Sequence, residues 1–306
     1  MALTSPPPRP LSELLKLRES FHGSTDEDHR EWIETNSITA EELGMLANAT
    51  KSKRNETGKP LPLFPLEMFA VPTEIPRTAL FKTRRRGPRK PIMWEQIDSR
   101  KDIKIEYFGV ELDNHLDLDL WLLVISIARG QTAGSRIPIT LTGLLRELGR
   151  APGGKSRNNV KLALDRLASA TLRVEIKRKD ENFQFTTSLM NWGIDKKRER
   201  MFVRVDPDGY MLFENLSYLN FETHLQLEGG VTKALHLYAI SHKRGEKHSQ
   251  PLENLKKWFG YDGRTLDFRR AMIDGMRQLE ETGVICEGKI YQHQEEEFAS
   301  WILNKK

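Results

Sequence analysis

The chain has 306 residues, of which 38% are hydrophobic and 30% charged, with a formal net charge of +5 and one cysteine. This length allows about two domains of ordinary size, and a single cysteine excludes an intramolecular disulfide framework and any zinc site with several cysteine ligands. The longest apolar run, 118–128, contains Asp119 and Ser126 and is too short to span a bilayer, and residues 1–10 lack the features of a signal peptide. We therefore expect a cytoplasmic protein without a membrane partner.

Charge is unevenly distributed along the chain. Residues 1–74 hold 12 acidic and 8 basic side chains, whereas the remaining residues hold 40 basic and 31 acidic ones. Four prolines within residues 6–10 forbid an early helix, and only 12–21 and 38–47 have helical patterns. We predict that 1–74 is a loosely structured, largely flexible acidic arm, and that the basic body behind it suits a polyanionic partner.

A proline-rich segment ends the arm. Residues 60–65 place prolines around three large apolar side chains, Leu61, Leu63 and Phe64. This composition predicts an extended segment that either docks into a groove of a partner or packs as a strap on its own domain.

A basic run follows this segment. Residues 77–90 contain seven basic side chains and no acidic one. Directly ahead of a basic domain, such a run is either a solvated stretch or an arm that contacts phosphates. In the second interpretation the contacts centre on Arg84, Arg85 and Arg86.

The body contains an internal repeat. Residues 120–130 and 235–245 share the pattern L-x-L-x-x-I-S-x-x-R-G at an offset of 115 residues. Each copy predicts a helix that ends at Arg-Gly, where glycine takes a left-handed cap.

Both copies are followed by a short helix, a glycine-containing turn and a longer helix with one apolar face. These features fall at 140–148, 149–154 and 156–170 in the first half, and at 252–259, 260–263 and 265–282 in the second. Alternating apolar residues then predict strands, at 172–176, 183–189 and 203–205 and again at 284–290 and 298–303. Because strands after a helix–turn–helix form the wing of a winged helix, we predict an α+β fold of two tandem winged-helix domains, 75–215 and 216–306. The alternative is two unrelated α+β pieces with a chance repeat.

The faces of the two long helices that point away from the predicted core carry basic and amide side chains. Arginine pairs with guanine and asparagine with adenine, and a helix N-terminus favours phosphate. These faces predict DNA binding, against the alternative of solvated faces held by pairs such as Arg270–Asp274. The first face, suited to phosphates, comprises Lys155, Ser156, Arg157, Asn158 and Lys161, and the second, suited to bases, comprises Arg264, Thr265, Arg269, Arg270 and Arg277.

Residues 149–156 match the phosphate-loop pattern G-x-x-x-x-G-K-S. That pattern binds nucleotides when it connects a strand to a helix. Here a helix is predicted before it, so we favour a turn between two helices over an ATP-binding site. The eight histidines show no metal-binding spacing, and no catalytic constellation is apparent. We expect a protein that is not an enzyme and that uses no metal or cofactor.

Six separated motifs point to a family. They are AVPTEIPRTALF at 70–81, LDLDLW at 116–121, IARGQ at 127–131, LGR at 148–150, the Gly153-Gly154 pair and LDRL at 164–167. Together they resemble the TrfA-type plasmid replication initiators. The resemblance covers residues 60–215 well, and the C-terminal part by architecture alone.

The resemblance implies a non-enzymatic bacterial initiator, associated with its plasmid in the cytoplasm, that binds repeated sites (iterons) in double-stranded origin DNA. It implies that the protein opens neighbouring DNA and recruits the host replicative helicase and the host initiator. It also implies that the C-terminal winged helix reads bases, while the N-terminal one contacts the DNA backbone and takes part in dimerisation, within a monomer–dimer equilibrium.

The same family carries a sliding-clamp-binding peptide, which Leu61, Leu63 and Phe64 match, with Pro60 where the family has glutamine. The alternative function is a winged-helix transcriptional regulator without a replication role, which has no use for a clamp peptide.

Overall fold

The structure, a computed structural model, describes residues 9, 13, 14, 17, 33–39, 42, 59–65, 68–83, 87–177, 182–195 and 200–305. The chain divides into two compact units, Met1–Gly58 and Lys59–Lys306. In the first unit, the Arg9 guanidinium donates to both carboxylate oxygens of Glu42, each at 2.9 Å. The predicted helical segments 12–21 and 38–47 lie mostly outside the described residues.

The second unit is the basic body, and its first half, residues 59–215, mixes short strands with helices. Five strands come first: Met68–Pro72 (β1), Phe81–Lys82 (β2), Pro91–Gln96 (β3), Ile103–Val110 (β4) and Leu112–Asp113 (β5). Next come Leu116–Ala128 (α1), Ile137–Ile139 (β6), Leu141–Glu147 (α2) and Gly154–Ser169 (α3). The half continues with Thr171–Lys177 (β7), Asn182–Ser188 (β8), Asn191–Asp195 (β9) and Arg200–Arg204 (β10).

The second half, residues 216–305, follows a 3₁₀ helix at Pro207–Glu214. It begins with Leu216–Asn220 (β11), Phe221–Gln226 (α4) and Gly230–Ile240 (α5). Lys247–Pro251 (β12), Leu252–Trp258 (α6) and Thr265–Glu281 (α7) come next, and the half ends with Ile285–His293 (β13) and Glu296–Leu303 (β14).

Both halves contain the same series of elements: helix, strand, short helix, long helix and hairpin. In the first half β10 lies between β6 and β9, and in the second half β14 lies between β12 and β13, with every pair antiparallel. The four predicted short and long helices are confirmed to within two residues at each end. The internal repeat of the sequence is therefore also a repeat of the structure.

The strands that follow α3 pair differently from the prediction. β7 and β8 belong to a four-stranded sheet of order β3-β4-β7-β8, so they are not the hairpin of the first helix–turn–helix. That hairpin is β9–β10, which pairs with β6. The cause is β4, whose buried Ile103, Ile105 and Tyr107 alternate with less buried residues and which gives β7 a partner over most of its length.

The helix of the second repeat copy ends earlier than predicted. In the first copy α1 ends just before the Arg-Gly pair, and Gly130 has φ +68°, in the left-handed region. In the second copy α5 ends at Ile240, so the predicted end at Arg-Gly is wrong there. Ser241 Oγ and His242 Nδ1 both donate to the Tyr238 carbonyl oxygen at 2.7 Å, in addition to the Ser241 backbone N–H at 3.2 Å, so side chains cap this helix end.

The two halves share one hydrophobic core, in which Trp121 of α1, Tyr238 of α5 and Trp301 of β14 are almost fully buried. A strand pair also joins them, because β1 is antiparallel to β11. Residues 59–74, predicted to be part of the arm, thus belong to the compact body. This packing fixes the helix–turn–helix of one half relative to that of the other.

Candidate nucleic-acid interface

The long helix α3 presents the predicted polar face to solvent. Its apolar side chains, Val160, Ala163, Leu164 and Leu167, are buried against the core. The helix begins after Gly153, which provides no capping side chain, so the first backbone N–H groups are free to bind an anion. A polar helix face above a buried apolar face is the arrangement that the sequence predicts.

Three cations lie on the N-terminal half of α3. Lys155, Arg157 and Lys161 are exposed, and none of them has a carboxylate partner within the part of the chain that the structure describes. Asn158 is also exposed, and Ser156 is half-buried. Cations beside a helix N-terminus favour phosphate groups, because both the charge and the helix dipole attract anions, and this makes the start of α3 a candidate phosphate site.

The predicted base-reading arginines of α7 have different surroundings. Arg264 pairs with Asp267 at 3.0 Å, and Arg269 pairs with Glu297 of β14 at 2.7 Å. Arg277 pairs with Asp274 at 2.7 Å and with Glu281. The anticipated Arg270–Asp274 pair is absent from the described residues, because Arg277 and Gln278 donate to the Asp274 carboxylate instead. These two hydrogen bonds lower the pKa of Asp274.

Arg270 is the exception on this face. It is exposed and has no carboxylate partner among the residues of known placement, whereas three neighbouring arginines do. Thr265, at the helix start, accepts a hydrogen bond from Lys256 Nζ at 3.0 Å. Because exposed ion pairs contribute at most about 1 kcal/mol, the paired arginines can leave their carboxylates to bind another anion. Arg270 can bind an anion without breaking any ion pair that the structure describes.

The phosphate-loop pattern at 149–156 lies between two helices. It begins directly after α2 and ends in the first turn of α3, and Gly149 has φ +63°. A strand before the loop, which a nucleotide site of this type requires, is replaced by a helix. The pattern is therefore the turn of the helix–turn–helix.

Most described members of the basic run at 77–90 point into the protein. Arg77 donates to Ser241, Lys82 pairs with Glu111 at 3.1 Å, and Arg89 pairs with Asp113 and Asp117. The prediction of a phosphate-contacting arm is wrong for these three residues, because each has a partner within the body. Arg84, Arg85 and Arg86 lie outside the described residues.

Asp117 links three segments of the first half. It is fully buried at the start of α1 and accepts hydrogen bonds from Arg89 and from Arg166 of α3, the latter at 2.6 Å. Burial raises the pKa of Asp117, and the hydrogen bond from Arg166 opposes that shift. Arg166 thus fixes α3 against α1 and is not available to DNA.

A second buried network joins the two halves. Asp119 of α1 pairs with Lys233 of α5 at 2.7 Å, and both side chains are buried. His224 Nε2 lies 3.2 Å from the second carboxylate oxygen of Asp119, and its Nδ1 lies 3.0 Å from Nδ1 of His236. Burial lowers the pKa of both histidines, so both rings are neutral at pH 7. The two neutral rings share one hydrogen bond, in which one Nδ1 donates and the other accepts.

This network is a feature that the sequence did not reveal. Its one visible sign is the placement of Asp119 and Lys233 in apolar helical runs, where an unpaired charge is costly. The two residues lie 114 positions apart, so local patterns could not pair them.

The predicted clamp-binding segment packs on the body. Leu61 and Phe64 are buried, and the Leu61 backbone N–H donates to the Gln131 carbonyl at 2.8 Å. The Arg129 guanidinium lies over the Phe64 ring at 5.2 Å. Leu63 is 82% exposed. The segment is the strap that the proline pattern allowed, and a partner can reach Leu63 without unfolding it.

Two helix–turn–helix units, each with a three-stranded sheet and a long helix that presents basic residues, define a mixed α/β protein of a nucleic-acid-binding class. The family model described as TrfA protein matches residues 56–293. The chain therefore belongs to the TrfA family.

Two individual proteins resemble the chain, one in sequence and one in fold. The chain is 26% identical over 230 residues to the plasmid replication initiator protein TrfA of Escherichia coli, a match that covers 72% of this chain and 59% of that protein. It also resembles the crystal structure of domains 2 and 3 of RctB, with a TM-score of 0.51, 13% identity and coverage of 77% of this chain and 99% of that one. The second likeness concerns the fold alone.

Two further properties concern the described residues only. Their helices include none long and apolar enough to cross a membrane. They also contain no cluster of three or more histidine, cysteine or carboxylate side chains arranged to hold a metal ion.

Proposed function

We propose that this protein is a DNA-binding plasmid replication initiator that recognises repeated sites in its origin. The observation that carries the proposal is the pair of helix–turn–helix units, whose long helices present cations without a carboxylate partner among the described residues. These cations are Lys155, Arg157 and Lys161 on α3 and Arg270 on α7. Membership of the TrfA family supports the replication role.

In this proposal the two halves are tandem winged-helix domains with different tasks. Helix α3 contacts the DNA backbone, since its cations surround a helix N-terminus and phosphate contacts position a protein without reading sequence. Helix α7 lies in the major groove, where Arg270 donates to guanine O6 and N7. The paired arginines of α7 exchange their carboxylates for phosphates at the rim of the contact.

The later steps of initiation are part of the same proposal. After binding iterons, the protein promotes local duplex opening and recruits the host helicase and host initiator, without catalysing a reaction itself. It acts in the bacterial cytoplasm in a monomer–dimer equilibrium. Leu63, exposed on the strap, is the first residue that a sliding clamp would contact.

Footprinting on the replicon that encodes the protein tests the proposal. The purified full chain is titrated on the complete replicon, and protected segments are mapped by nuclease cleavage. An initiator gives regularly spaced protections of one repeated sequence, and permanganate then detects unpaired thymines beside them. A single operator next to a promoter, without opening, would instead identify a transcriptional regulator.

A further inference from the structure

Two apolar side chains are exposed on the outward face of α7. Leu266 is 56% exposed and Ile273 is 45% exposed. They lie four residues before and three residues after Arg270, so with 3.6 residues per turn all three point away from the buried Phe268 and Met272. One exposed leucine is ordinary on a protein surface. Here two large apolar groups flank Arg270, which has no ion pair with any residue that the structure describes.

The outward stripe of α3 differs in its chemistry. When the buried Val160 and Leu164 of α3 are matched to the buried Met272 and Met276 of α7, Gly154 and Lys161 stand at the positions of Leu266 and Ile273. Neither position of α3 has an apolar side chain, which confines the inference to α7.

The major groove offers these side chains a specific apolar group. Among the four bases, only thymine presents a methyl group there, and apolar side chains contact it, whereas arginine pairs with guanine. Leu266 and Ile273 are separated by about 10 Å along the helix axis, which corresponds to about three base pairs of DNA.

We propose that Leu266 and Ile273 contact the C5 methyl groups of thymines on the two sides of the guanine that Arg270 reads. This inference rests on the proposed DNA-binding function and adds a base preference to it. The stripe selects a short T-rich sequence with a central guanine, through methyl contacts that flank one bidentate hydrogen bond.

Replacing thymine by deoxyuridine tests this directly, because the exchange removes only the methyl group. Each thymine of the footprinted repeat is exchanged singly, and the Kd of the full chain is measured by fluorescence anisotropy. At one or two positions the exchange should weaken wild-type binding about threefold to fivefold, as expected for the loss of one buried methyl contact.

The variants assign each methyl to a side chain. Ile273→Ala and Leu266→Ala should each weaken binding to the thymine-containing repeat, and each should become insensitive to deoxyuridine at one position. Met93→Ala, which truncates a side chain 72% exposed on β3, is the control and should keep the full sensitivity. Thermal unfolding of each variant, followed by circular dichroism, verifies that it is folded.

Two outcomes overturn the inference. In the first, wild-type protein binds the fully uracil-substituted repeat as tightly as the natural one. If it still rejects a scrambled duplex, the proposed function stands and the methyl contacts do not. In the second, Ile273→Ala and Leu266→Ala retain the wild-type sensitivity to deoxyuridine. Failure to distinguish the repeat from a scrambled duplex would instead refute the proposed function itself.

Discussion

Replacing Lys233 by methionine is expected to destabilise the body by about 3–5 kcal/mol, because it leaves the Asp119 carboxylate buried without its cation. The two groups are 2.7 Å apart and almost completely shielded from water. In the variant, the neutral His224 remains 3.2 Å from the carboxylate and supplies no charge to replace Lys233. Methionine has nearly the volume of lysine, so the loss measures charge rather than packing.

A double variant separates the missing charge from other effects. Asp119→Leu combined with Lys233→Met removes both charges, and replacing a buried ion pair by apolar groups is often neutral or stabilising by about 1–4 kcal/mol. We therefore expect the double variant to be more stable than Lys233→Met alone. The exposed pair of Lys257 and Glu253, at 3.0 Å, is the control, and Lys257→Met should cost about 1 kcal/mol or less.

Urea unfolding of the full chain, followed by far-ultraviolet circular dichroism, gives these free energies of unfolding. A cost below about 1 kcal/mol for Lys233→Met, equal to that of the exposed control, would refute the argument. It would show that water or a rearranged side chain compensates Asp119, so that the pair does not hold the two halves together.

Three further predictions concern pH, salt and packing. Since burial lowers the pKa of His224 and His236 from 6.5, the unfolded chain binds protons below pH 6.5 that the folded chain does not. Stability should therefore fall as the pH drops below 6.5, by up to about 1.4 kcal/mol per pH unit for each histidine. Urea unfolding above and below pH 6.5 checks this, and a flat profile contradicts it. Replacing the three arginines at 84–86 by alanine should reduce the slope of log K against log salt by about 0.9 per lost phosphate contact. Fluorescence anisotropy at several salt concentrations measures the slope, and an unchanged slope would exclude a phosphate-contacting arm. Gly260→Ala should lower the melting temperature more than Gly149→Ala, although both glycines have positive φ. An added Cβ at Gly260 would lie 2.6 Å from the Lys82 side chain and 3.2 Å from its backbone in the other half, whereas nothing lies within 4 Å of one at Gly149. Equal losses would argue against that packing.

The helix–turn–helix units were predictable because their signals are local. The apolar faces of α3 and α7 repeat every three to four residues, and Gly149 and Gly260 mark the turns before them. The repeat at 120–130 and 235–245 added independent evidence, since two weak patterns at a constant offset support each other. A pattern within ten or twenty residues is sufficient for such elements.

The pairing of strands was less predictable. Ile103, Ile105 and Tyr107 alternate with less buried residues and could have identified β4 from the sequence. The partners of β4 depend on the tertiary structure, in which β7 pairs with β4 and not with β6. Of the three strands predicted after α3, the one at 203–205 therefore overlaps the observed hairpin, while those at 172–176 and 183–189 belong to the other sheet.

The basic residues show the same limit. A run of cations without acidic neighbours suggests a solvated or DNA-bound arm, yet Arg77, Lys82 and Arg89 find partners 22 to 164 positions away. Arg264 and Arg277 are matched by acidic residues within four positions, and that signal was present in the sequence. Charge pairing at short range can be predicted, and pairing between distant segments requires the fold.

The most direct test of the account is a binding titration of Lys155→Ala and Arg270→Ala on the cognate repeat and on a scrambled duplex at two salt concentrations. Arg270→Ala should cost about 1–3 kcal/mol on the repeat and little on scrambled DNA, while Lys155→Ala should weaken both alike and lower the salt slope by about one unit. A change of base preference in Lys155→Ala but not in Arg270→Ala would reverse the roles of the two helices. Unchanged binding in both variants would contradict the assignment of either helix to DNA.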